Sequence, residues 1–148
     1  MSKYLRKNLV KYSGKRIWFD VEPATVKRLR KFAGEQNTTL FVVMLSIFKI
    51  LLASETGRRD IVVGTPYANR QKLELENIFG YFTNMLSLSS VIDTGKDFRT
   101  LVTNEHEVCQ GAFQHSYYSF GNLVNNLDYS FSEKLHPIFQ VLFIFQKK

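Results

Sequence analysis

The chain has 148 residues, 45% apolar and 14% aromatic, enough to bury one respectable core and too few for two ordinary domains. Its net charge of +7 raises nucleic acid as a partner, but ten Lys or Arg fall within residues 1–31 against only Asp20 and Glu22, and the remainder is close to neutral. That distribution favours a solvated helix face over a phosphate-clamping arm, and the single cysteine, Cys109, excludes an internal disulfide and a multi-cysteine metal site.

In chain order, Ile17, Phe19 and Val21 alternate with Trp18 and Asp20, a pattern that predicts a strand. Pro23 suits the first turn of a helix whose Val26, Leu29, Phe32 and Ala33 fall on one stripe, with Gly34 as its stop. Thr38 or Thr39 caps a second helix, apolar nearly all round from Leu40 to about Ser54 and ended by Thr56-Gly57. Its run from Leu40 to Ala53, the longest in the chain, is interrupted by Ser46 and Lys49 and is shorter than the roughly 20 residues a spanning helix needs. A soluble, cytoplasmic protein without a membrane partner is expected.

Asp60 introduces the run Ile61-Val62-Val63, which reads as a short buried strand closed by Gly64 and Pro66. A polar loop from Ala68 to Lys72 and a short helix over Leu73 to Ile78 follow. From Asn84 the alternation Leu86-Ser87-Leu88-Ser89, continuing to Val91 and Ile92, predicts another strand. Asp97 caps a helix with an apolar stripe from Phe98 to about His115, and Leu123, Val124 and Leu127 mark one or two further helical turns. The apolar run Ile138 to Phe145 predicts a buried strand. Helices set between strands point to a layered α/β or α+β unit. Because the last strand stops at Gln146-Lys147-Lys148 with nothing after it, the chain reads as cut short, and its uncovered edge predicts self-association.

The chemistry is sparse. His106, His115 and His136 stand nine and twenty-one residues apart, so no two form a helical metal-binding pair, and no metal site is expected. His106 and Cys109 lie three apart on one helix and can touch, but a buried structural thiol is the favoured reading of Cys109. The chain has no nucleophile elbow, phosphate loop or dinucleotide fingerprint.

Five segments, in order, resemble the condensation domains of nonribosomal peptide synthetases. They are Thr39-Leu40-Phe41; Asp60-Ile61-Val62-Val63-Gly64-Thr65-Pro66 with Ala68 and Arg70; Ile78 through Leu86, similar to I-G-x-F-V-N-T-L with one extra residue; His115-Ser116-Tyr117-Tyr118-Ser119-Phe120, a weakened H-Q-D-Y-P-F; and Asp128 with Ser130 and His136 through Phe143. Thr83 and Met85 stand where the family has Val and Thr, and Ser89-Ser90 where an Arg often follows.

The resemblance implies a chloramphenicol-acetyltransferase-like fold of two lobes around a tunnel. This chain would then be a basic segment, 1–11, and a partial C-terminal lobe, 12–148: a layered α/β (α+β) sandwich with helices packed on a mixed sheet. It implies amide formation between thioesters carried on the phosphopantetheine of peptidyl carrier proteins, with no cofactor bound directly. The family's base or positioning group is the second histidine of an H-H-x-x-x-D-G motif in the first lobe, and no His-His pair occurs here. No catalytic residue is therefore expected within the chain, and activity would require that lobe on a partner or in a parent synthetase. Asn84 would orient substrate in the tunnel, with an equal reading that it only satisfies backbone groups at a strand start. Gly80 and Phe82 would be shaping residues beside it that set the backbone and pack, Gly64, Pro66 and Arg70 would set a loop and a local ion pair, and His115 would be a motif remnant. A non-catalytic, self-associating interaction module or degenerate remnant is the alternative.

Overall fold

The computed structural model describes residues 14–68, 80, 82–127 and 136–146. Within them the order is α1 (Pro23–Glu35), α2 (Leu40–Thr56), β1 (Asp60–Tyr67), β2 (Asn84–Val91), α3 (Phe98–Gln114) and α4 (Phe120–Asn126).

Each helix begins where a local signal places it. Pro23 opens α1, where its missing N–H costs nothing. The side chains of Thr39, Asp97 and Ser119 accept from the amides of Val42, Thr100 and Asn122 and so cap α2, α3 and α4; such caps are worth about 1 kcal/mol each. The Thr100 backbone hydrogen bond also holds the Asp97 carboxyl below its ordinary pKa. α1 runs past Gly34, and the chain reverses at Asn37, whose φ of 50° is left-handed. Asn tolerates that region because its short polar side chain bonds locally. Gly57, at φ 68°, closes α2 through its amide to the Ala53 carbonyl. The two helices meet at 107°, and no single described helix is long and apolar enough to cross a membrane.

β1 and β2 pair antiparallel, from Asp60 opposite Val91 to Tyr67 opposite Asn84. Alternation puts Ile61, Val63 and Thr65 on one face with Leu86, Leu88 and Ser90. α2 and α3 pack there, burying Val42, Val43, Leu45, Val102 and Cys109 against Val63 and Leu88. α1 adds only Ala33 to the buried core, which leaves its basic face in water.

Four expectations change. β1 does not close at Gly64 and Pro66 but runs through both to Tyr67. Gly64 bonds outward, its amide to the Val141 carbonyl and its carbonyl to the Phe143 amide. Residues on its parity therefore turn their N–H away from β2, and the N–H that Pro66 lacks belongs to that outer edge. Residues 17–21 are not a strand: Ile17, Trp18 and Phe19 are 75%, 82% and 82% exposed and pair with no described strand. Alternation supplies two faces, but a strand also needs an edge to bond to. Residues 138–145 are likewise not a continuous buried strand. They make one parallel bridge, Leu142 to Gly64; Phe139 is buried, while Leu142, Ile144 and Phe145 are about half exposed. The described sheet is thus two antiparallel strands rather than the mixed sheet expected, with one isolated parallel bridge at its edge, and the helices packed on it keep the layered α/β expectation. The short helix expected over Leu73 to Ile78, and Arg70 with its ion pair, lie outside the described residues.

Candidate functional site

The segments beginning at Asp60, Asn84, His115 and His136, distant in sequence, meet at one end of the sheet. Asn84 opens β2 on the helix-facing side, opposite Tyr67. Its side-chain N–H groups donate to the carbonyls of Ser116 and Tyr118, each at 2.8 Å. Its side-chain oxygen accepts from the amides of Met85 at 3.0 Å and Phe120 at 3.1 Å. An asparagine offers two donors and one carbonyl with two lone pairs, so every position is occupied by backbone of this chain. The Phe120 amide is one of the first-turn donors of α4 that has no intrahelical partner, and Asn84 supplies it across the fold.

From Phe120 the contact continues by rings. Its centroid lies 5.2 Å from His136 and 5.5 Å from Phe139, and those two stack at 4.1 Å. Phe139 in turn covers Gly64, where an added Cβ would come within 2.3 Å of the ring. Gly64 is thus set by close approach, and its amide and carbonyl hold residues 141–143 at the same point.

The other sequence-predicted positions lie around this junction. His115 is the exposed C-cap of α3; its amide bonds the Gly111 carbonyl, and its ring stands 6.1 Å from Tyr117. Phe82 is half-buried, and its ring comes within 3.0 Å of where a Cβ on Gly80 would lie, so these two residues shape each other's space. Beside the Asn84 end of the sheet, an open groove of about 240 Å³ is lined by Thr65, Tyr67, Phe41, Phe113 and Phe145. Tyr67 stacks on Phe113 at 5.2 Å. The groove is chiefly aromatic and suits an apolar group more than a charged one.

A second polar cluster escaped sequence reasoning. Lys49 Nζ lies 2.7 Å from Glu105 Oε1 and 2.8 Å from Ser90 Oγ, and Ser90 Oγ donates to Glu105 Oε2 at 2.7 Å. The Lys49 and Glu105 side chains are 0% and 2% exposed. Burial pushes the lysine pKa down, and Glu105 partly opposes it. The cluster ties α2, α3 and β2 together from inside. Its only sequence signal was a pair of charges on apolar faces, Lys49 in the α2 run and Glu105 within the α3 stripe. Cys109 is buried next to it, its thiol pushed up to about 12 by desolvation and then by the Glu105 charge. His106 does not serve that thiol: its Nδ1 lies 2.8 Å from Thr38 Oγ1.

Residues 2–148 match the condensation-domain family. The chain is 35% identical to tyrocidine synthase 3 of Brevibacillus parabrevis over 97% of its own length and 2% of that protein's. With bacitracin synthase 1 of Bacillus licheniformis the identity is 32% over 97% of this chain and 3% of the relative. With surfactin synthase subunit 1 of Bacillus subtilis it is 33% over 99% and 4%. The chain therefore spans only a few per cent of the curated relatives it matches. Among solved structures, a four-domain nonribosomal peptide synthetase bound to AMP and glycine superposes with a TM-score of 0.84 at 24% identity, over 86% of this chain and 10% of that one. The condensation domain of the Monacolin K polyketide synthase MokA gives 0.75 at 22%, over 82% and 29%. The fold is thus the α/β fold of those chloramphenicol-acetyltransferase-like domains, and by the extent of these matches the chain belongs to the condensation-domain family of nonribosomal peptide synthetases.

Proposed function

We propose that this chain forms the C-terminal-lobe wall of a substrate tunnel in which an amide bond is made between two carrier-bound thioesters. The attacking amine and the acyl carbonyl would arrive on the phosphopantetheine arms of peptidyl carrier proteins; the new C–N bond would replace the donor's C–S thioester bond, and the amine's proton would end on the freed phosphopantetheine thiol of the donor arm. The histidine that acts on them would come from an H-H-x-x-x-D-G lobe, on a partner chain or in a parent synthetase. Within these residues the catalytic contribution is geometric, holding the wall against which two substrates meet, a role worth several kcal/mol in reactions of this kind. By itself the chain is inactive in this reading. The observation that carries it is the meeting at Asn84, Phe120, Phe139 and Gly64 of four segments that resemble the family's motifs. Combining the chain with a first-lobe protein and two loaded carrier proteins tests it: amide product should appear only in the full mixture and fall on Asn84→Ala. Absence of product from a mixture whose lobes bind each other would sink it.

The half-exposed edge at Leu142, Ile144 and Phe145 favours a second reading, in which the chain associates with a copy of itself and serves as an interaction module.

A further inference from the structure

The resemblance puts Asn84 in the substrate tunnel, where an amide can meet a thioester oxygen directly. The hydrogen bonds argue otherwise. Both side-chain N–H groups are spent on the Ser116 and Tyr118 carbonyls, and both lone-pair directions of its oxygen on the Met85 and Phe120 amides. A substrate oxygen would find a free donor only if the 115–120 turn let go. Of the four contacts, three reach more than thirty residues along the chain to that turn. They grip it at alternate residues and hold the first amide of α4. Through Phe120 the grip extends to His136 and Phe139, and through Phe139 to Gly64 and the 141–143 bridge.

We infer that Asn84 is a positioning residue that acts on the reaction through the backbone of residues 116–120, fixing the mouth of the tunnel wall, and that it does not touch the reacting groups. The activity part of this inference rests on the function proposed above; the structural part does not.

Two measurements separate them. The first is amide hydrogen exchange on the full chain without substrate. Asn84→Ala should speed exchange at Phe120 about tenfold, as expected for a lost part-buried hydrogen bond, and leave Val102 in α3 unchanged. Asn84→Asp, isosteric and a safeguard if the alanine variant fails to fold, keeps both acceptor contacts but aims a carboxylate at two carbonyls. With the Ser116 and Tyr118 carbonyls released, it should loosen the turn and speed exchange at the Tyr118 amide, which bonds the His115 carbonyl, while sparing Phe120. The second is condensation by the reconstituted lobes. Asn84→Ala should lower kcat about tenfold to a hundredfold, as loss of alignment does, with KM for the acceptor thioester little changed. Gly121→Ala, whose added Cβ meets nothing within 4 Å, firms α4 without reaching the groove and should restore part of the lost rate. A residue that met the substrate itself would not be rescued from α4.

Unchanged exchange at residues 116–120 in both Asn84 variants overturns the inference. So does a rate loss that Gly121→Ala leaves untouched. If the wild-type mixture makes no amide, the proposed function falls, and exchange alone decides whether Asn84 holds the turn.

Discussion

Gly64 has no side chain at the point where the Phe139 ring reaches the β1 backbone, and the reason is space, since a Cβ would lie 2.3 Å from a ring carbon. Gly64→Ala must displace a buried ring and loosen the 141–143 bridge. It should cost about 1–3 kcal/mol in thermal or denaturant unfolding, the usual range for an overfilled site. Combining it with Phe139→Leu should recover part of that loss; strict additivity would show that the clash is not the cause. Cys109 offers a pH test. Its folded pKa is raised, to about 12 from 9.0, so the unfolded thiol ionises first as pH rises. The protonated thiol's contribution to stability is complete below pH 9 and is lost as pH climbs through 9 toward 12. Cys109→Ala should flatten that part of the stability curve, and the native thiol should resist alkylation at pH 8 while the unfolded one reacts. Equal reactivity in both states would contradict its burial. These residues show where sequence reading stops. The buried thiol was legible because the stripe of α3 runs past position 109, but the glycine's need was not, since its cause sits 75 positions away at Phe139.

At the scale of elements, α2, α3 and β2 are joined by one ion pair with almost no solvent around it. Desolvating two charges costs several kcal/mol, which their attraction and the Ser90 hydrogen bonds offset, so the intact pair adds little net stability. Breaking it is another matter. Lys49→Met leaves the buried Glu105 carboxylate with only the neutral Ser90 hydroxyl and Cys109 thiol as partners and should destabilise by about 3–5 kcal/mol. The double change Lys49→Met with Glu105→Leu should return to within about 1–2 kcal/mol of the parent, because no orphan charge remains. Urea unfolding of the three variants and the parent closes the cycle, and a double variant as unstable as the single would mean the pair itself holds the helices. The helices were legible because capping and periodicity act within a few residues: Thr39, Gly57 and Asp97 end their elements where the sequence places the signals. Residues 17–21 carried an equally clear alternation and formed no strand. Strand pairing depends on an edge elsewhere in the molecule, and sequence alternation is silent about whether one is offered. The pairing of Lys49 with Glu105, 56 residues apart, was hidden for the same reason.

For the whole molecule the open question is what covers the apolar surface outside the core. Leu142, Ile144 and Phe145 are 50%, 57% and 45% exposed beside the groove, and Val91, at the far end of β2, is 63% exposed. Among the described residues, the outer edge of β1 is held by residues 141–143 at Gly64 alone, so backbone groups and apolar side chains are presented together there. That combination templates strand addition or apolar docking. The net charge of +7 opposes self-association at low ionic strength, and salt screens that repulsion. The chain should therefore sediment as a heavier species as its concentration and the salt concentration rise. Leu142→Lys with Ile144→Lys should hold it monomeric without altering the unfolding transition, because neither side chain is buried. An excess of a first-lobe protein should replace the self-associated species by an equimolar complex if the two compete for the same edge. Self-association that survives both lysines would place the contact elsewhere, with the exposed Ile17, Trp18 and Phe19 as the next surface to change. A chain that stays monomeric at every concentration and salt level would remove the interaction-module reading and leave the lobe-pairing function to stand on the reconstitution alone.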